Sequence, residues 1–225
     1  MKLHHLRRSS GAAATAVLLS LGVAACSEDD TDASAAPDAS SERDDQGDGE
    51  DSTPDAAAQT FGDGCSQIPA SGAGSFDGMV NDPVATAAGN NPLLSTLVSA
   101  VGAVDGLGDT LNGQEALTVF APYNDAFAAI PAEDLDALVA GGQQDGQDSA
   151  LYKILAHHVL PTNADPGAVT GQQETLAGDR LTVEGDPESG MTVSDGTVTA
   201  TVLCGNIPTA NATVYVIDAV LTGVE

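Results

Sequence analysis

The sequence predicts an α+β domain over residues 65–225, and three observations carry that prediction. The first half of this span shows apolar residues at helical spacing. The second half breaks into short β-branched runs separated by Gly and Asp turns. One strand-like run, ALTVFA at residues 116–121, stands far upstream of the other strands. Helices first and strands afterwards argue for a segregated α+β arrangement over an alternating one.

The elements follow in order. Asp82-Pro83 opens a short helix. From Asn91, NPLLSTLVSAV places Leu93, Leu94, Leu97, Val98 and Val101 on one stripe of an amphipathic helix. After the early strand come two helices, one opening near Asn124 and one just after Pro131. The run DSALYKILAHHVLP predicts a helix over residues 149–160, with Asp148 or Ser149 as its cap and Pro161 beyond its end. TLAGDRLTVEGD, GMTVSDG, TVTATVLC and ATVYVIDAVL then read as antiparallel strands.

Residues 1–25 read as an export signal. Lys2, Arg7 and Arg8 precede an apolar run of fourteen residues, 12–25, shorter than the roughly 20 helical residues that span a bilayer core. The run ends in GVAAC, which resembles the lipobox of bacterial lipoproteins and implies that Cys26 carries an acyl lipid such as palmitate. The residues after Arg7-Arg8 lack the apolar character of twin-arginine signals, so Sec export is expected. Residues 27–64 hold 13 acidic residues and one arginine among small polar ones, too little apolar surface to offset ordering. They are expected to be a disordered acidic tether. Within it, DDQGDGEDSTPD superficially mimics a calcium loop but has no flanking helical pattern, so no ion site is expected.

Beyond Cys26 the chain carries 33 acidic residues against Arg43, Lys153 and Arg180, 30 net negative charges. Nucleic acid and anionic headgroups are repelled by such a surface, and self-association is discouraged, so a monomer without nucleic-acid partners is expected. Three cysteines leave one over in an oxidising compartment. With Cys26 acylated, Cys65 and Cys204 remain, either as a disulfide or as two buried thiols; their spacing does not read as a zinc site.

Three segments together resemble the fasciclin domain family. LTVFAPYNDAFAAIP, residues 117–131, resembles its first signature segment. ILAHHVLP resembles the segment closing the following helix, and NATVYVIDAVL resembles the second signature segment. They occur in the family's order within residues 82–221. With Cys65 and Cys204 and NDPVATAAGNNPLLSTL, the chain also looks like the secreted and lipid-anchored fasciclin antigens of mycobacteria and related actinobacteria. The resemblance implies a fasciclin-like fold, a twisted antiparallel β-sandwich wedge with a helical cap, and a cell-surface role in adhesion or interaction without catalysis. Two positions depart from the family pattern: Tyr123 stands where a threonine is common, and His157 where a tyrosine is. Cell-binding roles attached to that tyrosine therefore do not carry over.

Four residues are candidate structural or interaction positions. Asn124 sits where a helix cap belongs, and Asp125 in the first turn suits the helix dipole. His158 falls on the apolar stripe with Leu151, Ile154, Leu155 and Val159, so its ring needs a hydrogen-bond partner, expected within residues 118–125. His157 falls towards the polar face. Adjacent helical positions point about 100° apart, so the pair does not read as a metal chelate. No nucleophile elbow, phosphate loop or HExxH motif occurs, so neither catalytic residues nor cofactors are expected. The expected function is a lipid-anchored protein on the outer face of the cell membrane, binding an unknown protein or glycan of the envelope, matrix or host surface. A structural envelope component, or a binder of small apolar or glycan ligands, are the alternatives.

Overall fold

The computed structural model describes residues 56–224; the expected signal, Cys26 and most of the tether lie outside the described residues. The chain enters through α1 (Phe76–Met79), α2 (Val84–Asn90), α3 (Ser95–Ala103) and α4 (Leu107–Gly113). Strand β1 (Leu117–Pro122) leads into α5 (Asn124–Ala128), α6 (Ala132–Asp145) and α7 (Ala150–His157). Short β2 (Val159–Leu160) and α8 (Pro166–Val169) precede β3 (Gly171–Glu174) and β4 (Arg180–Asp186). The chain closes with β5 (Gly190–Ser194), β6 (Thr199–Pro208) and β7 (Ala212–Ile217).

The seven strands form one sheet in the order β2-β1-β7-β6-β5-β4-β3. Every neighbouring pair is antiparallel, as the strand-rich half predicts, except β1 and β7, which run parallel from Leu117 beside Ala212 to Pro122 beside Ile217. That exception follows from the early position of β1, which reaches its partner only after a long crossover. Both strands are buried on both faces. Leu117, Val119 and Ala121, with Ala212, Val214 and Val216, face the helices. Phe120, Tyr215 and Ile217 face inward between the folded halves of the sheet, where they meet Leu181, Met191 and Val193. Tyr215 is wholly buried; its phenol donates to the Ala164 carbonyl at 3.0 Å, and burial pushes its pKa up.

The expected cap of α7 resolves to Ser149, whose hydroxyl accepts from the Tyr152 amide at 3.1 Å. The helix ends at His157, short of the expected residue 160, because Val159 and Leu160 pair with the outer edge of β1. Helices α1, α4 and α8 and strand β3 add to the elements expected from sequence. Strand β3, GQQE, has no apolar residue, so nothing in its pattern marks a strand; it pairs as an edge against β4.

Strand β6 crosses from one layer to the other. Ala200 and Val202 point into the sandwich, and Cys204 and Ile207 point to the helical layer. Register shifts on both sides of Cys204 make the change: an extra residue reverses which face the following side chains take. Asn206 takes a left-handed φ of 59° there.

Order begins ahead of Cys65. Residues 56–64, expected to belong to the tether, lie along β6: Phe61 exchanges two backbone hydrogen bonds with Gly205, and Asn206 donates to the Gln59 carbonyl at 2.8 Å. The Phe61 ring lies over Gly205 so closely that a Cβ there would come within 2.3 Å of it. A disulfide joins Cys65 to Cys204, with Cα atoms 4.8 Å apart. Of the two arrangements the sequence allows for these cysteines, the structure shows the bonded one.

The bond joins positions 139 residues apart in sequence, so the reduced chain has far more freedom to lose on folding. Replacing Cys65 and Cys204 together by serine is expected to lower unfolding free energy by about 3–5 kcal/mol. Urea titration checks this, and a reductant should reproduce the shift in the unsubstituted protein.

Candidate interaction site

The first signature segment ends β1 and starts α5, and its Asn124 does act as a cap, but for a different helix. Asn124 occupies the first turn of α5, whose own cap position, Tyr123, makes no side-chain cap bond. The Asn124 side-chain oxygen instead accepts from the Thr96 amide at 3.0 Å and the Ser95 hydroxyl at 3.2 Å, at the start of α3. Its amide nitrogen donates to the Pro92 carbonyl at 2.9 Å. One side chain thus satisfies an otherwise unpaired amide of a helix remote in sequence. Asp125 is exposed in the first turn of α5. Tyr123 is partly buried, which raises its phenol pKa, and the carboxylates of Asp125 and Asp218 raise it further.

The second signature segment opens with a matching device. Asn211 accepts from the Val84 amide at 2.9 Å, at the start of α2, and donates to the Leu111 and Gln114 carbonyls at 2.9 Å, at the end of α4. Beside it, Asn112 accepts from the Ala85 amide at 2.9 Å. From sequence Asn211 is the first residue of the second signature segment, with no local sign of this capping role. Its side chain is occupied by backbone groups at the start of α2 and the end of α4, the Asn112 carbonyl at 3.5 Å among them.

His158 is buried, as its place on the apolar stripe predicts, but its ring does not bond to residues 118–125. Nδ1 donates to the Ile154 carbonyl at 2.7 Å, and Nε2 accepts from the Leu221 amide at 3.0 Å. The backbone makes the expected link instead: the Phe120 amide donates to the His158 carbonyl at 2.9 Å. The ring turns towards the C-terminal segment because a free N–H lies there, while β1 spends its own amides on the sheet. Burial holds the His158 pKa down at about 4.

His157, expected on the polar face, is also buried. It ends α7 beneath two hairpin turns, and Nδ1 donates to Asp179 at 2.7 Å. Asp179 also accepts from the Thr175 hydroxyl. On the other side, His157 Nε2 lies 3.8 Å from Asp195, too far for a hydrogen bond, and is left without a partner. Asp195 accepts from the amides of Thr197, Val198 and Gly223 at 2.6–2.7 Å. Burial would raise both carboxyl pKa values. The Thr175 hydroxyl and His157 outweigh it at Asp179, and the three amides outweigh it at Asp195, so both lie below the usual carboxylate range. The two aspartates sit in GDR and SDG turns, which read from sequence only as punctuation. His157 is sealed from solvent, and this cluster ties α7 to the two hairpin turns and to the segment at Gly223.

The four candidate positions therefore divide into two places. Asn124 and Asp125 lie at the end of β1, and His157 and His158 at the end of α7. Thr118 ties the neighbouring loop, donating to the Thr162 carbonyl at 2.7 Å and accepting from the Ala164 amide at 2.9 Å.

These features define a helix-capped mixed-sheet domain whose buried polar groups serve its architecture. The chain belongs to the fasciclin family: the fasciclin domain model matches residues 92–223. It is 46% identical over 174 residues to the cell surface glycolipoprotein MPB83 of Mycobacterium bovis, covering 74% of each chain. It is 42% identical over 177 residues to the immunogenic protein MPB70 of the same species, covering 76% of this chain and 86% of that one. A solved FAS1 domain pair from the insect cell adhesion molecule Fasciclin I aligns at a TM-score of 0.45 and 21% identity, over 58% of this chain and 45% of that chain.

Two measurements test the site. Asn124→Ala and Asn211→Ala should each cost about 1–2 kcal/mol of stability, the upper end of a lost cap. Asn211→Asp should recover only part of that loss, because it keeps the acceptor and removes the donor. For His158, the folded pKa is depressed below the unfolded value of about 6.5. The unfolded chain therefore takes up the proton first, and stability is lost as pH falls from about 6.5 to about 4. That loss should approach about 3 kcal/mol. Urea titrations at several pH values should show it, and His158→Gln should remove this component.

Proposed function

We propose that this protein is a non-catalytic lipoprotein of the cell surface that acts through adhesion, its fasciclin domain binding a protein or glycan of the envelope, matrix or host. The observation that carries this reading is the 46% identity to a cell surface glycolipoprotein across most of both chains. Three features support it. Cys26 follows a lipobox-like run, the acidic stretch after it suits a spacer between membrane and domain, and the buried polar groups of the domain are committed to structure. Recognition then falls to the surface, where acidic side chains dominate and favour neutral or basic partners.

Two experiments test the two halves of the proposal. Cys26→Ala should release the protein from membranes into the medium, and continued anchoring would refute lipidation. The purified full chain should bind saturably to a subset of glycans, matrix proteins or the producing organism's own wall. Absence of saturable binding to all of them would replace adhesion with a structural envelope role.

A further inference from the structure

The closing segment, 219–224, contains no helix or strand. Past Asp218, two backbone bonds hold it among the described residues. The Leu221 amide donates to His158 Nε2 at 3.0 Å, and the Gly223 amide donates to Asp195 Oδ2 at 2.7 Å. Both holds involve a titratable ring: one acceptor is a histidine nitrogen, and the other faces a histidine. Val220 is buried in the helical layer and Leu221 in the sandwich, so the segment closes over both cores.

His158 can hold Leu221 in one protonation state alone. Nδ1 keeps its proton on the Ile154 carbonyl at 2.7 Å, so a second proton has only Nε2 to go to. That proton points at the Leu221 N–H, and an acceptor becomes a donor facing a donor. The ring is buried, and it takes the second proton more readily once the segment has lifted and water reaches it. Acid therefore favours the lifted state.

His157 acts on the second hold. Nδ1 is fixed on Asp179 at 2.7 Å, while buried Nε2 has no partner and faces Asp195 Oδ2 at 3.8 Å. This is the oxygen that accepts from Gly223. Without a proton, Nε2 sets a lone pair against a carboxylate; with one, it is a donor aimed at it. Closing the gap to a charge-assisted length of about 2.8 Å shifts the oxygen by about 1 Å. Asp179 restrains the ring, so the turn carrying Asp195 is the part that moves. Oδ1 is bonded inside that turn to the Thr197 and Val198 amides and travels with it. Gly223 lies outside the turn, seated so closely that a Cβ there would come within 2.8 Å of Asp195 Cγ and Thr197 Oγ1. The turn has little room to shift without displacing it.

The charges facing the two rings are few. His157 meets Asp179 from the turn between β3 and β4, and Asp195 from the turn between β5 and β6. His158 meets Asp195 and the His157 ring, whose centre is 6.2 Å from its own. Burial opposes a second proton on His158 most strongly; the Ile154 carbonyl and Asp195 favour it, and charge on His157 opposes it. Both aspartates lie below the usual carboxylate range, so mild acid leaves them charged.

We propose that residues 219–224 form an acid-released clasp: a second proton on His158 ejects the Leu221 amide, a second proton on His157 draws Asp195 off Gly223, and the segment lifts while the sheet stays folded. Val220 and Leu221 are then an apolar surface shown in acidic surroundings and hidden at neutral pH. The clasp is independent of the adhesive reading, which invokes neither histidine.

Amide hydrogen exchange of the full chain tests it, read by NMR at about pH 7.5 and about pH 5 and corrected for the intrinsic pH dependence of exchange. With a closed-state value of about 4 and an ordinary value of about 6.5 in the lifted state, His158 alone weakens closing by about 30-fold at the lower pH. Protection of Leu221 and Gly223 should fall by at least that factor and change little in about 1 M urea, because a local opening exposes little surface. Val214 and Val216 in β7 should stay better protected and respond to urea. His158→Gln should remove the fall at Leu221. His157→Gln, which keeps a donor for Asp179 without the titrating nitrogen, should reduce the fall at Gly223. Protection at Leu221 and Gly223 that is unchanged between the two pH values would overturn the clasp. So would protection and urea response equal to those of Val214 and Val216, since the segment would then open only with the whole domain. These two readings come from the unsubstituted protein and decide the matter even if a variant fails to fold. An unaltered Gly223 response in His157→Gln would overturn the part given to His157.

Discussion

The parallel pairing of β1 with β7 is the constraint on which the rest of the domain depends. It joins the two signature segments residue by residue from Leu117–Ala212 to Pro122–Ile217. Both strands are covered on both faces, so the pair is at once the floor of the helical layer and the wall of the sandwich. Every second side chain belongs to a different core. A slip of one residue would exchange Phe120 and Tyr215 with Val119 and Val214, which neither layer could accommodate.

The two capping asparagines gain their meaning from this seam. Because the strands are parallel, Asn211 stands just before the seam begins and Asn124 just after it ends. From one end Asn211 holds the start of α2 and the end of α4; from the other Asn124 holds the start of α3. The helices are thereby fixed by their ends as well as by the apolar sides they bury against β1 and β7.

Much of this was legible in sequence, for reasons that differ by element. The stripe from Leu93 to Val101 identifies a helix because one face repeats near every third or fourth residue. The segregation of helical and strand-like halves predicts the α+β class, and the signature segments point to the fasciclin fold. The remainder was hidden where side chains act at a distance. Asn124 carries a local signal for a cap, but its helix is remote, and no periodicity encodes that. His157 falls on the outer face of α7 by helical geometry and is buried only because the turns holding Asp179 and Asp195 fold over it. Residues 56–64 look like tether by composition; Phe61 alone hints otherwise, and its partner Gly205 becomes visible only with the strand in place.

The buried aspartate and histidine beside the C-terminal segment have a consequence for handling the chain's end. Leu221 and Gly223 follow the last strand, yet their amides complete His158 and Asp195. Trimming the tail by a few residues would therefore leave a buried imidazole and a buried carboxylate short of partners more than twenty residues away in sequence. The last turn of chain, which looks dispensable by its lack of regular structure, works as the latch of the fold.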